Sequence, residues 1–168
     1  GRYNSLVQVD ADTYALAYEG DGYDGFISTF TINSAGVITA VKTQSLGNNL
    51  EHDTEYGTYN SLVQVDADTY ALAYGGDGTN DFISTFTISA DGSTITEVAT
   101  LEHDTEYGAY NSLVKVDADT YALAYLGDGY DGFISTFTIG TIKGSDCYDC
   151  KPPKLQQAQI QISSDEKI

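Results

Sequence analysis

The sequence predicts an all-β protein assembled as a tandem array of four-stranded antiparallel units, and three observations predict it. First, a stretch of about thirty residues, YNSLVQVDADTYALAYEGDGYDGFISTFTI at positions 3–32, returns at 59–88 and at 110–139. The first and third copies differ only at Gln8 against Lys115 and Glu19 against Leu126. Second, apolar side chains within each copy alternate with small or polar ones, the period of a strand lying against another layer. Third, clusters of Asp and Gly punctuate those runs, and no helical periodicity connects them.

The first strand of a unit is expected at 5–10, where Val7 and Val9 share a face. The Asp10, Ala11, Asp12, Thr13 cluster then turns the chain, because Asp side chains accept bonds from nearby backbone amides. The second strand, 14–18, sets Tyr14, Leu16 and Tyr18 on one side and only Ala15 and Ala17 on the other. Such a division of large from small suits a face pressed close to a neighbouring layer. Glycines at 20, 22 and 25 supply the reversal into a third strand at 26–32, rich in β-branched and aromatic residues. A fourth strand is clearest at 94–101 in the second unit, after a hairpin loop at 89–93; in the first unit the corresponding region, between Ile32 and Leu50, is longer. Links at 51–57 and 102–108, both EHDTEYG, carry the chain onward.

The array therefore occupies residues 1–139, divided as 3–58, 59–109 and an incomplete 110–139, and a divergent segment fills 140–168. Within that segment, 155–162 alternates weakly, and two readings stand open: a substitute outer strand closing the third unit, or a disordered tail running into the polar 163–167. No Met occurs in the chain, which predicts a processed product or a piece of a longer protein.

With 25 acidic against 7 basic residues the net charge is −18. That charge repels a phosphate backbone and an anionic membrane surface, so nucleic-acid partners are not expected, and no apolar run is long enough to insert into a bilayer as a helix. Cations are the natural small partners, and a secreted or cell-surface setting is the expectation.

Four-stranded units of about fifty residues joined by longer links resemble the blades of a β-propeller. Propellers have four to eight blades, so three need a complement; two chains would give a six-bladed homodimer, which makes self-association the expected partnership. The alternative fold is a β-trefoil, which closes three four-stranded repeats within one chain. The stretch GDGYDGFI at 20–27 resembles the N-G-D-G-x-x-D-hydrophobic motif of FG-GAP repeats in integrin α-like propellers and related bacterial surface proteins. That resemblance implies calcium held in the loops. The sequence departs from the family pattern where its first acid would stand, at Ala17, Ala73 and Ala124, and keeps its final acid only as Asp81, with Gly25 and Gly132 in the other copies.

In an antiparallel blade the loop between the second and third strands and the link after the fourth emerge at the same edge. Asp21, Asp24, Asp77, Asp81, Asp128 and Asp131 from the loops are thereby expected beside Glu51, His52, Asp53, Glu102, His103 and Asp104 from the links. Hard oxygen ligands of this kind suit calcium, and the histidines suit a transition metal; the alternative is that the carboxylates shape turns and that His52 and His103 serve packing or capping. Fourteen Tyr and no Trp suggest a second chemistry, in which Tyr18, Tyr23, Tyr74, Tyr125 and Tyr130 offer stacking faces to a protein or glycan ligand, against the alternative of half-buried packing. Cys147 and Cys150 form a lone CxxC, which lacks the second pair of a structural zinc site and reads as a local disulfide or a pair of idle thiols. No nucleophile motif or phosphate loop is present, and carboxylates repeated in every unit fit a binding module better than an enzyme with one differentiated pocket. The expected function is a non-catalytic interaction module, with a multivalent lectin as the alternative.

Overall fold

A computed structural model describes residues 1–41, 49–141 and 158–168. These residues form three antiparallel sheets, the second and third meanders in sequence order and the first a meander whose fourth and fifth strands both pair with its third. The first contains β1 (Arg2–Gln8), β2 (Thr13–Glu19), β3 (Gly25–Ile32), β4 (Ile38–Ala40) and β5 (Asn49–Asp53). The second runs β6 (Thr58–Gln64), β7 (Thr69–Gly75), β8 (Asp81–Ile88) and β9 (Ile95–Asp104). The third runs β10 (Ala109–Lys115), β11 (Thr120–Leu126), β12 (Gly132–Thr141) and β13 (Ala158–Lys167).

The Asp-rich cluster makes the first hairpin of each unit as its composition requires. Val9 N–H donates to the Thr13 carbonyl at 2.7 Å, Ile32 N–H to the Asp12 carbonyl at 2.8 Å, and the same bonds recur at Val65, Ile88, Val116 and Ile139. The second reversal holds a short 3-10 turn, Asp21–Tyr23, repeated as Asp77–Thr79 and Asp128–Tyr130, with a left-handed glycine at its centre in each copy.

Two outer edges differ from the sequence-based expectation. The extra length of the first unit splits its outer strand: β4 pairs with Phe30 to Ile32, and β5 with Gly25 to Ser28. The third unit is closed by β13, which extends well past 162 into the stretch expected as a polar tail. Its polar residues are held because β12 offers matching groups: Ser164 and Thr136 hydroxyls lie 2.8 Å apart, and Ser135 donates to Asp165 at 2.6 Å. Lys167 also pairs with Asp131.

The large/small division of the second strand organises the core. Ala15, Ala17 and Ile27 of the first sheet pack against Leu62, Tyr70, Leu72, Tyr74, Phe86 and Ile88 of the second. Ala71, Ala73 and Ile83, on the opposite face of the second sheet, receive Leu113, Tyr121, Leu123, Tyr125, Phe137 and Ile139 of the third. Each junction thus sets a small-residue face against a large-residue face, which lets the layers approach and the bulky chains interdigitate. The junctions are also stitched alike: Leu62 N–H donates to Ser5 Oγ and Leu113 N–H to Ser61 Oγ, both at 2.9 Å.

Candidate binding cleft

The first strand of every unit carries a bulge, with register shifting between Arg2 and Ser5, Thr58 and Ser61, and Ala109 and Ser112. At its centre Tyr3, Tyr59 and Tyr110 adopt left-handed backbone, φ 50°, 51° and 56°. A bulky aromatic residue rarely takes that conformation, and a bulge that requires it re-aims the side chain. The three rings form a ladder across the sheets, with centroids 4.3 Å apart from Tyr3 to Tyr59 and 4.6 Å from Tyr59 to Tyr110. Hydrogen bonding to Tyr3, followed by burial, pushes the Tyr59 hydroxyl above the ordinary phenol range.

Beside this ladder, at the junction of the first and second sheets, lies a cleft of about 480 Å³. Tyr3, Tyr23, Tyr56, Tyr59 and Tyr107 line it together with Glu19, Asp77 and the backbone of Gly75 and Gly76. Tyr23 and Tyr56 lie 5.8 Å apart as one wall. Gly75 lines the cleft where the other copies have Glu19 and Leu126. No side chain fits there, since a Cβ on Gly75 would come within 2.8 Å of Thr58 Oγ1 and 2.9 Å of the Gly108 carbonyl. Glu19 is buried and has Arg2 at 3.8 Å. Just outside, a hydrogen bond to Asp77 raises the Glu55 carboxyl above its usual range, so the rim already carries two acids sharing one neighbourhood.

Most of the carboxylates expected at a metal face shape turns or lie on outer strands, and Asp81 and Asp104 are cross-strand partners. Asp21, Asp77 and Asp128 open the exposed 3-10 turns, and their backbone carbonyls accept from the amides of Asp24, Asn80 and Asp131. Asp53 Oδ1 accepts from Glu55 and Tyr56 amides, both at 2.9 Å, and Asp104 repeats this with Glu106 and Tyr107, so these side chains shape turns. Glu51 and Glu102 are exposed on outer strands, Glu102 accepting from Asn80. Among the described residues, no group of three His, Cys, Asp or Glu side chains is gathered closely enough to hold a metal ion.

Both histidine side chains are buried. β5 and β9 continue through the residues expected as links, and this carries His52 and His103 into the sheet junctions. His52 packs edge-on to Tyr74 at 4.6 Å, and His103 does the same to Tyr125 at 5.1 Å. Burial drives the His52 pKa down to about 3, against a smaller opposing effect of Asn60. Asp81, the acid that replaces Gly25 and Gly132, is fully buried beside His103 at 3.4 Å and accepts from Asn111 at 2.8 Å; burial pushes its carboxyl upward.

The tyrosines separate into two groups. Tyr74 and Tyr125 are buried, and Tyr18, Tyr74 and Tyr125 each stack on a Phe of the next strand, 5.6 to 5.7 Å between centroids, so Tyr74 and Tyr125 present no ring face to a ligand. Tyr23 and Tyr130 are exposed, Tyr23 at the cleft and Tyr130 against Tyr107. The sequence reading missed the ladder and Tyr56 and Tyr107; the available signal was the Tyr-Asn-Ser triplet opening every unit and the Tyr-Gly closing both links. Cys147 and Cys150 lie outside the described residues. Compared with known proteins, the chain matches no protein-family model and no curated protein.

Proposed function

We propose that the chain is a non-catalytic interaction module of a secreted or surface-displayed protein, that its three sheets are an arc of β-propeller blades, and that its cleft takes a cationic segment of a protein partner. The observation that carries this reading is the convergence of five tyrosines with Glu19 and Asp77 around a glycine backbone, in the cleft at the junction of the first and second sheets. An Arg or Lys side chain placed among tyrosine faces gains cation–π attraction, and a carboxylate beside it supplies the countercharge. The net charge of −18 steers such a partner toward the surface before contact.

A glycan is the second reading, favoured by the shallower groove where Tyr3, Tyr59 and Tyr110 alternate with Asn4, Asn60 and Asn111. Aromatic faces recur there along the ladder, while the Asn60 and Asn111 amides are bonded inward to Gly57 and Asp81.

Calorimetric titration with an arginine-rich peptide and with a panel of neutral oligosaccharides separates the two. The expected result is saturable peptide binding that weakens about tenfold or more in Tyr59→Asn, a replacement that tolerates left-handed backbone. General attraction to an acidic surface is unmoved by a change that leaves the charge alone. Peptide binding indifferent to Tyr59→Asn would overturn the proposal, and saturable sugar binding lost in the same variant would replace it with the second reading.

A further inference from the structure

We infer that a second copy of this chain covers both open faces of the array, joined head to tail so that two chains close one ring of six sheets. The inference rests on the propeller reading above. Its basis is the pair of junctions already inside the chain, which show what each face receives. Leu62 and Leu113, on the large-residue faces of the second and third sheets, are 4% exposed; their counterpart Leu6, on the first sheet, is 56% exposed. On the small-residue faces, Val9 and Val65 are 9% and 7% exposed, while their counterpart Val116 on the third sheet is 62% exposed. Ile27 and Ile83 are fully buried, and Ile134 is 39% exposed.

The two open faces are the two halves of the junction used twice within the chain. The first sheet offers Tyr14, Leu16, Tyr18 and Phe30 as the second and third offer their copies, and the third offers Ala122, Ala124 and Ile134 as the first and second do. These residues are uncharged, and the third sheet's open face adds Glu166, the partner of Ile134, where the first and second sheets carry Leu50 and Leu101. The stitching bond has an unused half at each end as well. Ser112 is exposed where Ser5 and Ser61 accept from the following sheet, and closure sets its hydroxyl opposite the Leu6 amide of the second copy. Tyr110 and Tyr3, the exposed ends of the ring ladder, meet at the same place. Head-to-tail joining of three-sheet chains reaches the four to eight blades of a closed propeller at one number, six, and so at two chains.

Light scattering coupled to gel filtration tests this on the full chain and on Leu6→Arg and Ala124→Arg, both at exposed positions, with circular dichroism reporting retained sheet. The expected result is a mass twice the 18.0 kDa of the chain for the unaltered protein, 18.0 kDa for each variant alone, and recovery of the double mass when the two variants are mixed, since one sound junction survives. A monomeric unaltered protein overturns the inference, as does an Ala124→Arg protein that still dimerises alone, which like-face pairing requires, or a mass that climbs beyond two chains. The peptide titration on the same samples scores the cleft separately, because that cleft lies within a single chain between its first and second sheets.

Discussion

His52 illustrates how a residue that looks like chemistry in the sequence becomes packing in the fold. Its outer strand aims the imidazole at Tyr74 and Phe86, and burial holds its pKa near 3, below the ordinary 6.5. A depressed folded-state pKa means that the neutral ring's contribution is complete above the unfolded pKa and is lost as pH falls from about 6.5 toward 3. At pH 5 the loss comes to ~2 kcal/mol. Urea unfolding of the unaltered protein and of His52→Gln at pH 7.5 and 5.0 checks this: the variant is expected to lose markedly less stability between the two, and equal losses would show that the ring does not titrate as buried. Gly57 is a second residue whose role is steric. A Cβ there would lie 2.0 Å from Gly25 Cα, backbone against backbone, and so Gly57→Ala is expected to cost about 1–3 kcal/mol in the same assay.

At the scale of the element, turn chemistry and strand period were readable because both are local. The Asp-Ala-Asp-Thr hairpins, the Gly-Asp-Gly reversals and the Ala/Tyr division of β2, β7 and β11 follow from residues adjacent in sequence. What was not readable depended on partners distant in the chain. β5 and β9 run on into Glu-His-Asp because β3 and β8 present free edges down to Gly25 and Asp81, and β13 extends through Ser163 to Lys167 because β12 supplies hydroxyls and the turn before it supplies Asp131. The Tyr bulges were invisible for a related reason, since nothing local marks Tyr as left-handed and the compensation comes from the rings of neighbouring units. β13 also gives a test at this scale. Ile160 pairs with Ile139 and packs on the core of the second junction, whereas Ile162, opposite Phe137, is largely exposed. Ile160→Asp is accordingly expected to destabilise by ~2 kcal/mol and Ile162→Asp by less than ~1 kcal/mol in denaturant titrations. Equal effects would mean that β13 does not close the third sheet.

The molecule as a whole sets strong local complementarity against strong global repulsion. Apolar junctions gather the three sheets, yet 25 acidic residues against 7 basic ones leave each chain at −18, mostly on rims and turns where solvent screens the charge. Repulsion of this kind favours expanded states and opposes association of like chains, and its reach shrinks from about 10 Å at 0.1 M ionic strength to about 3 Å at 1 M. Raising sodium chloride over that range is therefore expected to raise the thermal midpoint, and to strengthen self-association in the same direction, because like charges on the two copies, Glu166 on the third sheet's open face among them, repel less as screening grows. The opposite response is expected of the proposed cleft ligand: a cationic peptide set beside Glu19 and Asp77 should bind more weakly as screening grows. Thermal unfolding, mass and peptide affinity measured along one salt series thus bear on three terms at once. A midpoint that falls with salt would mean that the acidic residues are engaged in net-favourable pairs and not in mutual repulsion, and the charge argument would then lose its basis even if the sheets pack as described.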